Sequence, residues 1–148
     1  MKWLLDTNVV SESVRPRPSL RVLRWLDDQP SHLTAISVVT LAELQHGVWL
    51  TAGEDRRAEL SNWLDREVLP TFAGRIMPVS TDVLIHWFGL QRSLSKRRQT
   101  RSPADLLLAA TAQVHDLRIV TRNIRDFANT GITVYNPWTN ETEKMEAP

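Results

Sequence analysis

Along this chain, short apolar runs alternate with longer stretches in which apolar residues return every three or four positions. The first kind predicts strands and the second predicts helices. Residues 2–6 read as a strand, and Val9–Arg15 as a short helix stopped by Pro16 and Pro18. Ser19–Gln29 has helical spacing through Leu20, Leu23 and Leu26, with Val22 and Trp25 flanking that stripe. His32–Ser37 reads as a strand that runs directly into a helix over Val38–Thr51. Asp55–Leu69 is amphipathic through Leu60, Trp63, Leu64 and Val68 and is expected to end at Pro70. Arg75–Val79 has strand character, with Pro78 making it a weak strand or an edge. Thr81–Lys96 follows as a helix through Leu84, Ile85, Phe88 and Leu94, and Ser102–His115 as another. Arg118–Thr121 and Ile132–Tyr135 are short β-branched strands. Strands alternating with helices predict an α/β/α sandwich around a mainly parallel sheet of about five strands.

With 148 residues the chain fits one domain, and burial of ~68–70% of the unfolded surface gives it a real core. The domain is expected over residues 1–138, with Thr139–Pro148 as a polar, disordered tail. Eighteen basic residues against seventeen acidic ones leave the balance near neutral, so any affinity for nucleic acid must rest on local patches. The lack of cysteine excludes a disulfide scaffold, a zinc–thiolate site and a thiol nucleophile. The apolar run at the N-terminus is too short for a signal peptide, and no run approaches the ~20 residues that span a bilayer. The chain therefore reads as cytoplasmic, with no membrane partner. Six tryptophans are many for this length. Trp25, Trp63 and Trp87 are read as core or dimer-face anchors ahead of base-stacking platforms.

Four acids fall near the ends of predicted elements. Asp6 closes Trp3-Leu4-Leu5-Asp6-Thr7-Asn8, at the edge of an open α/β sheet where ligands bind; it would serve equally as the cap of the next helix. Glu43 lies within a helix, with Val39 and Gly47 as its i−4 and i+4 neighbours, so its surroundings are not an obviously solvated face. Asp105 completes Ser102-Pro103-Ala104-Asp105, a capping-box pattern that explains an acid there without any further role. Asp126 follows the strand ending at Thr121 and, taken alone, is a loop acid. Acids that converge repel one another unless a cation joins them, and hard oxygen ligands select Mg²⁺ or Mn²⁺.

Taken together, the motifs resemble the PIN domain, specifically ribonuclease toxins of VapC type. Leu5-Asp6-Thr7-Asn8 resembles the family's opening motif, and Ser37-Val38-Val39-Thr40-Leu41-Ala42-Glu43-Leu44 with Gly47 its second. Ala104-Asp105-Leu106-Leu107-Leu108-Ala109-Ala110-Thr111-Ala112 is similar to the third. Val120-Thr121-Arg122-Asn123 with Asp126-Phe127 is similar to the fourth, and Asn136-Pro137-Trp138 to a common ending. The resemblance covers residues 3 to 138 and implies Mg²⁺-dependent cleavage of RNA and neutralisation by a cognate antitoxin. It also implies homodimers that join the antitoxin in a hetero-oligomer. Asp6, Glu43 and Asp105 carry over as catalytic, metal-site acids. Asp126 is the fourth, because Asn123 stands where some relatives have Asp.

On this reading Asp6 and Asp105 hold the metal and Glu43 orients or deprotonates a water. Thr7, Asn8 and Asn123 would fix carboxylate rotamers or coordinate through an amide oxygen. The run Arg92, Lys96, Arg97, Arg98 and Arg101 contains no acid and leads into the Asp105 helix, which makes it the candidate RNA-binding element. Two alternatives remain: a PIN-like module without catalysis that acts only through its partner, and a haloacid-dehalogenase-type phosphatase. The latter wants a second Asp where this chain has Asn8.

Overall fold

The computed structural model describes the whole chain, Met1–Pro148. Its strands are β1 (Trp3–Leu5), β2 (Thr34–Ser37), β3 (Ile76–Met77), β4 (Arg118–Val120), β5 (Thr133–Asn136) and β6 (Glu141–Lys144). The helices are α1 (Thr7–Val10), α2 (Leu20–Asp28), α3 (Val38–Leu50), α4 (Glu54–Trp63), α5 (Leu69–Thr71), α6 (Thr81–Lys96) and α7 (Pro103–His115). One sheet runs in the order β3-β2-β1-β4-β5-β6. The first five strands are parallel and β6 is antiparallel to β5. No helix is long and apolar enough to cross a membrane.

Alternation along the strands divides the core in two. Leu4, Ala35, Ile119 and Val134 face one side, where they join Val83, Leu90 and Leu94 of α6 and Leu106, Leu108 and Ala109 of α7. Trp3, Leu5, Ile36 and Val120 face the other, against Val9 and Val10 of α1 and Leu44 and Val48 of α3. The sheet is thus covered on both faces, and its central strand, β1, ends in a buried corner.

Several elements depart from the expected pattern. In α2 the buried position is Val22, while Leu20 is 65% exposed; the inward face runs Val22, Trp25, Leu26 and Gln29. In α6 the core is reached by Val83, Leu90 and Leu94, leaving Leu84, Ile85 and Phe88 exposed. The helix expected over Val9–Arg15 begins earlier, because Asp6 caps it, and it tightens into a 3₁₀ turn over Ser11–Val14. Downstream of α4 the chain stays helical as a π turn over Leu64–Val68, and the helical run passes through Pro70 to Thr71 instead of ending before it. The two-residue β3 lies at the sheet edge, where Pro78 can be accommodated.

The clearest correction concerns the polar tail: the sheet has six strands, and Glu141–Lys144 forms the sixth. Its side chains are all exposed and three of the four are charged, so it carries no hydrophobic signature, but such charges blunt an edge strand. Met145 supplies the anchor. It is 5% exposed within the core beside Ile132 and Val134, and its N–H donates to Ile132 O at 2.9 Å. The Gly131 N–H in turn donates to Glu146 O at 2.8 Å. Truncating Met145 to alanine should therefore cost about 2–4 kcal/mol in urea unfolding, as for other buried large-to-small changes. A cost within the range of surface substitutions, about 0.5 kcal/mol, would show that the tail is not part of the core.

Candidate active site

β1 lies between β2 and β4, and the register Leu5↔Val120 sets Asp6 opposite Thr121. The Asp6 N–H continues the ladder to Val120 O at 2.9 Å. Beyond it the backbone turns into α1, and the Asp6 side chain becomes the cap: Oδ1 accepts the Thr7 N–H at 2.7 Å. Oδ2 accepts the Thr121 hydroxyl at 2.8 Å, in a buried bond spanning 115 residues. Asn8 spans the same corner. Its Nδ2 lies 3.5 Å from Asp6 Oδ2 and 3.4 Å from Thr121 Oγ1, and its Oδ1 accepts the Arg122 N–H at 3.2 Å. Thr121 Oγ1 also accepts the Asn123 N–H at 3.1 Å.

Asp6 is 8% exposed and has no cationic partner. Burial pushes its carboxyl up to about 6 from an ordinary 3.8. The hydrogen bonds from Thr121 and Thr7 oppose that rise, and the nearby carboxylates of Asp105 and Glu43 add to it.

The other acids approach from separate elements. Ser37, capping α3 through the Val39 N–H at 3.0 Å, starts the helix at the sheet edge and brings Glu43 round on its second turn. Glu43 is exposed toward the site, and its Oε1 accepts the Thr7 hydroxyl at 2.8 Å. Thr7 therefore links the Asp6 corner to α3. Ser102 caps α7 through the Asp105 N–H at 3.1 Å, with Pro103 in the first turn, as the capping-box pattern requires. Asp105 is half-buried, and burial raises its carboxyl above the usual range. The Ser102 hydroxyl opposes this, Asp126 reinforces it, and Arg101 counters it. Asp126 lies in the 3₁₀ turn Ile124–Phe127, whose start is set by the Asp126 N–H on Asn123 O at 3.1 Å. Asn123 itself is exposed.

The fold thus brings Glu43 and Asp105 into electrostatic range of Asp6, and Asp126 into range of Asp105. It does not close three or more acidic or histidine side chains into one metal-sized group. The single tight cluster expected from sequence is instead a chain of neighbours, as mutual repulsion favours. Mg²⁺ commonly takes one or two carboxylates and keeps several waters, so a dry cage of protein ligands is not required. The donors here are all hard oxygens, and burial raises the carboxyls of both Asp6 and Asp105. That donor set fits the ion.

The basic run splits up. Arg97 reaches away to Asn129 Oδ1 (3.2 Å) and Ala147 O (3.0 Å). Arg101 packs beside Asp105 but spends donors on Thr100 O (2.8 Å) and Ala128 O (3.5 Å), and its Nε is buried without a partner. Arg92, Lys96 and Arg98 remain exposed. Arg98 borders a cleft of about 360 Å³ with Gln91, Gln99, Thr100 and Arg101.

Sequence reading passed over Thr121 as a site residue. Its signal was available: a hydroxyl directly after the apolar Ile119-Val120, placed on its strand as Asp6 is on β1. The raised Asp6 value fixes a pH dependence. With its folded value above the ordinary one, Asp6 contributes full stability below about pH 3.8, and this is lost as pH rises through about 6. In EDTA, urea unfolding should show a loss of up to about 3 kcal/mol across that window, and Asp6→Asn should flatten much of it. An unchanged pH slope in a folded Asp6→Asn protein would contradict the burial of an uncompensated carboxylate.

A family model described as PIN domain matches residues 3–132. Toxin FitB of Neisseria gonorrhoeae is 37% identical over 135 residues, covering 91% of this chain and 97% of that protein. The VapC ribonuclease Y4jK of Sinorhizobium fredii is 35% identical over 135 residues, covering 91% and 96%. The crystal structure of FitAcB from Neisseria gonorrhoeae matches with a TM-score of 0.87 at 37% identity, covering 92% of this chain and 98% of that one.

Proposed function

Because this chain belongs to the PIN-domain family, matching its model over residues 3–132, we propose that it is a metal-dependent endoribonuclease and the toxin of a toxin–antitoxin pair. The observation that carries the reading is the Asp6 corner: a buried carboxylate at the C-terminal edge of the central strand, without a cation of its own and with Asp105 and Glu43 in range. The names of the relatives, a toxin and a ribonuclease, support the same reading.

Asp6 and Asp105 would hold Mg²⁺ or Mn²⁺, with Glu43 and Asp126 at the flanks. When bound, the cation lowers the pKa of water and neutralises charge on the attacked phosphate. The chain's own groups do the positioning. Thr121 and the Thr7 N–H lock the Asp6 rotamer, and the Thr7 hydroxyl turns Glu43 toward the site, where it can orient a water or take its proton. Attack by water leaves a 5′-phosphate and a 3′-hydroxyl. The position two residues after Asp6, an acid in the phosphatase alternative, is Asn8, and its side chain is engaged in bracing Arg122 and Thr121.

An antitoxin segment would lie in the groove of about 300 Å³ that opens beside Thr7 and Glu43, lined by Val14, Leu44, Val48, Leu60 and Trp63. Exposed Leu84, Ile85 and Phe88 on α6 offer apolar surface for a homodimer.

Asp105→Asn separates the two roles of that residue, because asparagine preserves shape and local hydrogen bonding while removing the charge. The variant should stay folded, with unchanged or higher thermal stability in EDTA, and lose cleavage of total RNA in Mg²⁺ by orders of magnitude. Mapped ends in the wild-type digest should carry 5′-phosphates. Wild-type cleavage by folded Asp105→Asn would leave the capping box as the whole explanation of Asp105.

A further inference from the structure

The C-terminal edge of the sheet carries a second set of groups that the chemistry above does not use. Arg122 follows Thr121 directly, and its main chain is pinned from both sides: its N–H donates to Asn8 Oδ1 at 3.2 Å and its carbonyl accepts Asn136 Nδ2 at 3.2 Å. The guanidinium leans over Trp138, 5.4 Å from the ring centroid. Trp138 is held in turn by its own N–H on Asn136 Oδ1 at 2.8 Å, and its carbonyl accepts Arg21 Nη1 at 3.3 Å. Arg122 and Arg21 are exposed and Trp138 is half-buried. The chain's two ion pairs, Arg15–Glu12 and Arg56–Glu59, involve neither arginine. Arg21 is thus held on the Trp138 carbonyl and the Arg122 guanidinium on the Trp138 ring, so two cations without a carboxylate partner and one indole form a cluster that begins one residue after the threonine that holds Asp6.

An acidic site acting on a polyanion needs cations on its rim, placed so that they do not neutralise the acids themselves. Of the five cations expected to do this, Arg97 turns to the C-terminal segment and Arg101, half-buried, is drawn in beside Asp105, whose charge it offsets. Arginine's planar fork suits phosphate oxygens, and an exposed ring edge or face accepts a base whatever its identity. Resting on the nuclease reading, we infer that Arg122, Trp138 and Arg21 form a subsite that grips the RNA strand next to the bond being cleaved. The guanidinium groups take phosphates and the indole takes a base. The same bonds that brace Thr121 through Asn8 hold Arg122, so the grip and the Asp6 carboxylate share one rigid corner.

The test measures binding of a short fluorescein-labelled single-stranded RNA of mixed sequence to the full chain in the Asp105→Asn background, across a salt series. Arg122→Gln and Arg21→Gln should each weaken binding several-fold at low salt and reduce the slope of log K against log salt by about 0.7. Trp138→Ala should weaken binding by roughly tenfold, and Trp138→Phe should recover most of it. With Asp105 intact, the same changes should act mainly on KM for RNA cleavage. Thermal melts accompany each variant, and the arginine changes, at exposed positions, keep the test valid if Trp138→Ala unfolds. Unchanged affinity and salt slope in folded Arg122→Gln and Arg21→Gln proteins would overturn the subsite while wild-type cleavage left the nuclease reading standing. Loss of antitoxin affinity with RNA affinity intact would reassign the surface to the protein partner. Absence of RNA cleavage and RNA binding by the wild type would remove both readings.

Discussion

Burying a carboxylate is costly unless hydrogen bonds or a counter-charge replace the lost water. At the end of β1 that cost falls on Asp6, and the surrounding architecture is organised around it. The strand must be central so that a neighbour can offer Thr121; the turn into α1 must be immediate so that the Thr7 N–H can reach Oδ1; and Asn8 must brace the corner against β4. Those bonds moderate the cost without removing it, since the carboxyl still sits at about 6. An arginine or lysine in the corner would supply the missing counter-charge and bring the carboxyl back down.

Much of this was legible from the chain. The alternation of strands and helices, the parallel sheet and the edge position of the strand that Pro78 follows are consequences of periodicity and proline chemistry, which act locally. So is the cap at Ser102, where serine, proline and an acid within four residues specify a helix start. Asp6 was visible because an acid directly after three apolar residues violates the pattern around it. Thr121 was harder to see. A threonine after a β-branched run is ordinary in itself, and its importance arises only from the register that sets it across from Asp6. The stripe in α2 failed for a related reason: leucines at helical spacing outline a face, but the sheet selects which one, and it took Val22 over Leu20. The last strand escaped because its charged side chains face solvent and only Met145 marks its end.

The distribution of charge matters more than its sum. A near-neutral chain carries its acids at the centre of one sheet edge and keeps unpaired arginines on the flank of that edge. The contiguous basic run was the stronger signal in sequence, yet folding turns Arg97 toward Asn129 and Ala147 and draws Arg101 in beside Asp105. Residues scattered over positions 21, 122 and 138 end as neighbours instead. Proximity in sequence is a poor guide to where cations stand relative to a site assembled from four separate elements.

The bond between Thr121 and Asp6 also joins segments of the chain that lie 115 residues apart. A ribosome working at ordinary speed needs on the order of ten seconds to travel from one partner to the other. Through that interval the N-terminal strand and the α3 helix can exist, but the aspartate has no buried partner and β1 has an open side where β4 belongs. The α7 acid, too, emerges late. A growing polypeptide therefore carries the pieces of the corner without the corner until Thr121 has followed. The order of translation itself thus supplies a delay between the first of these side chains and the assembled corner.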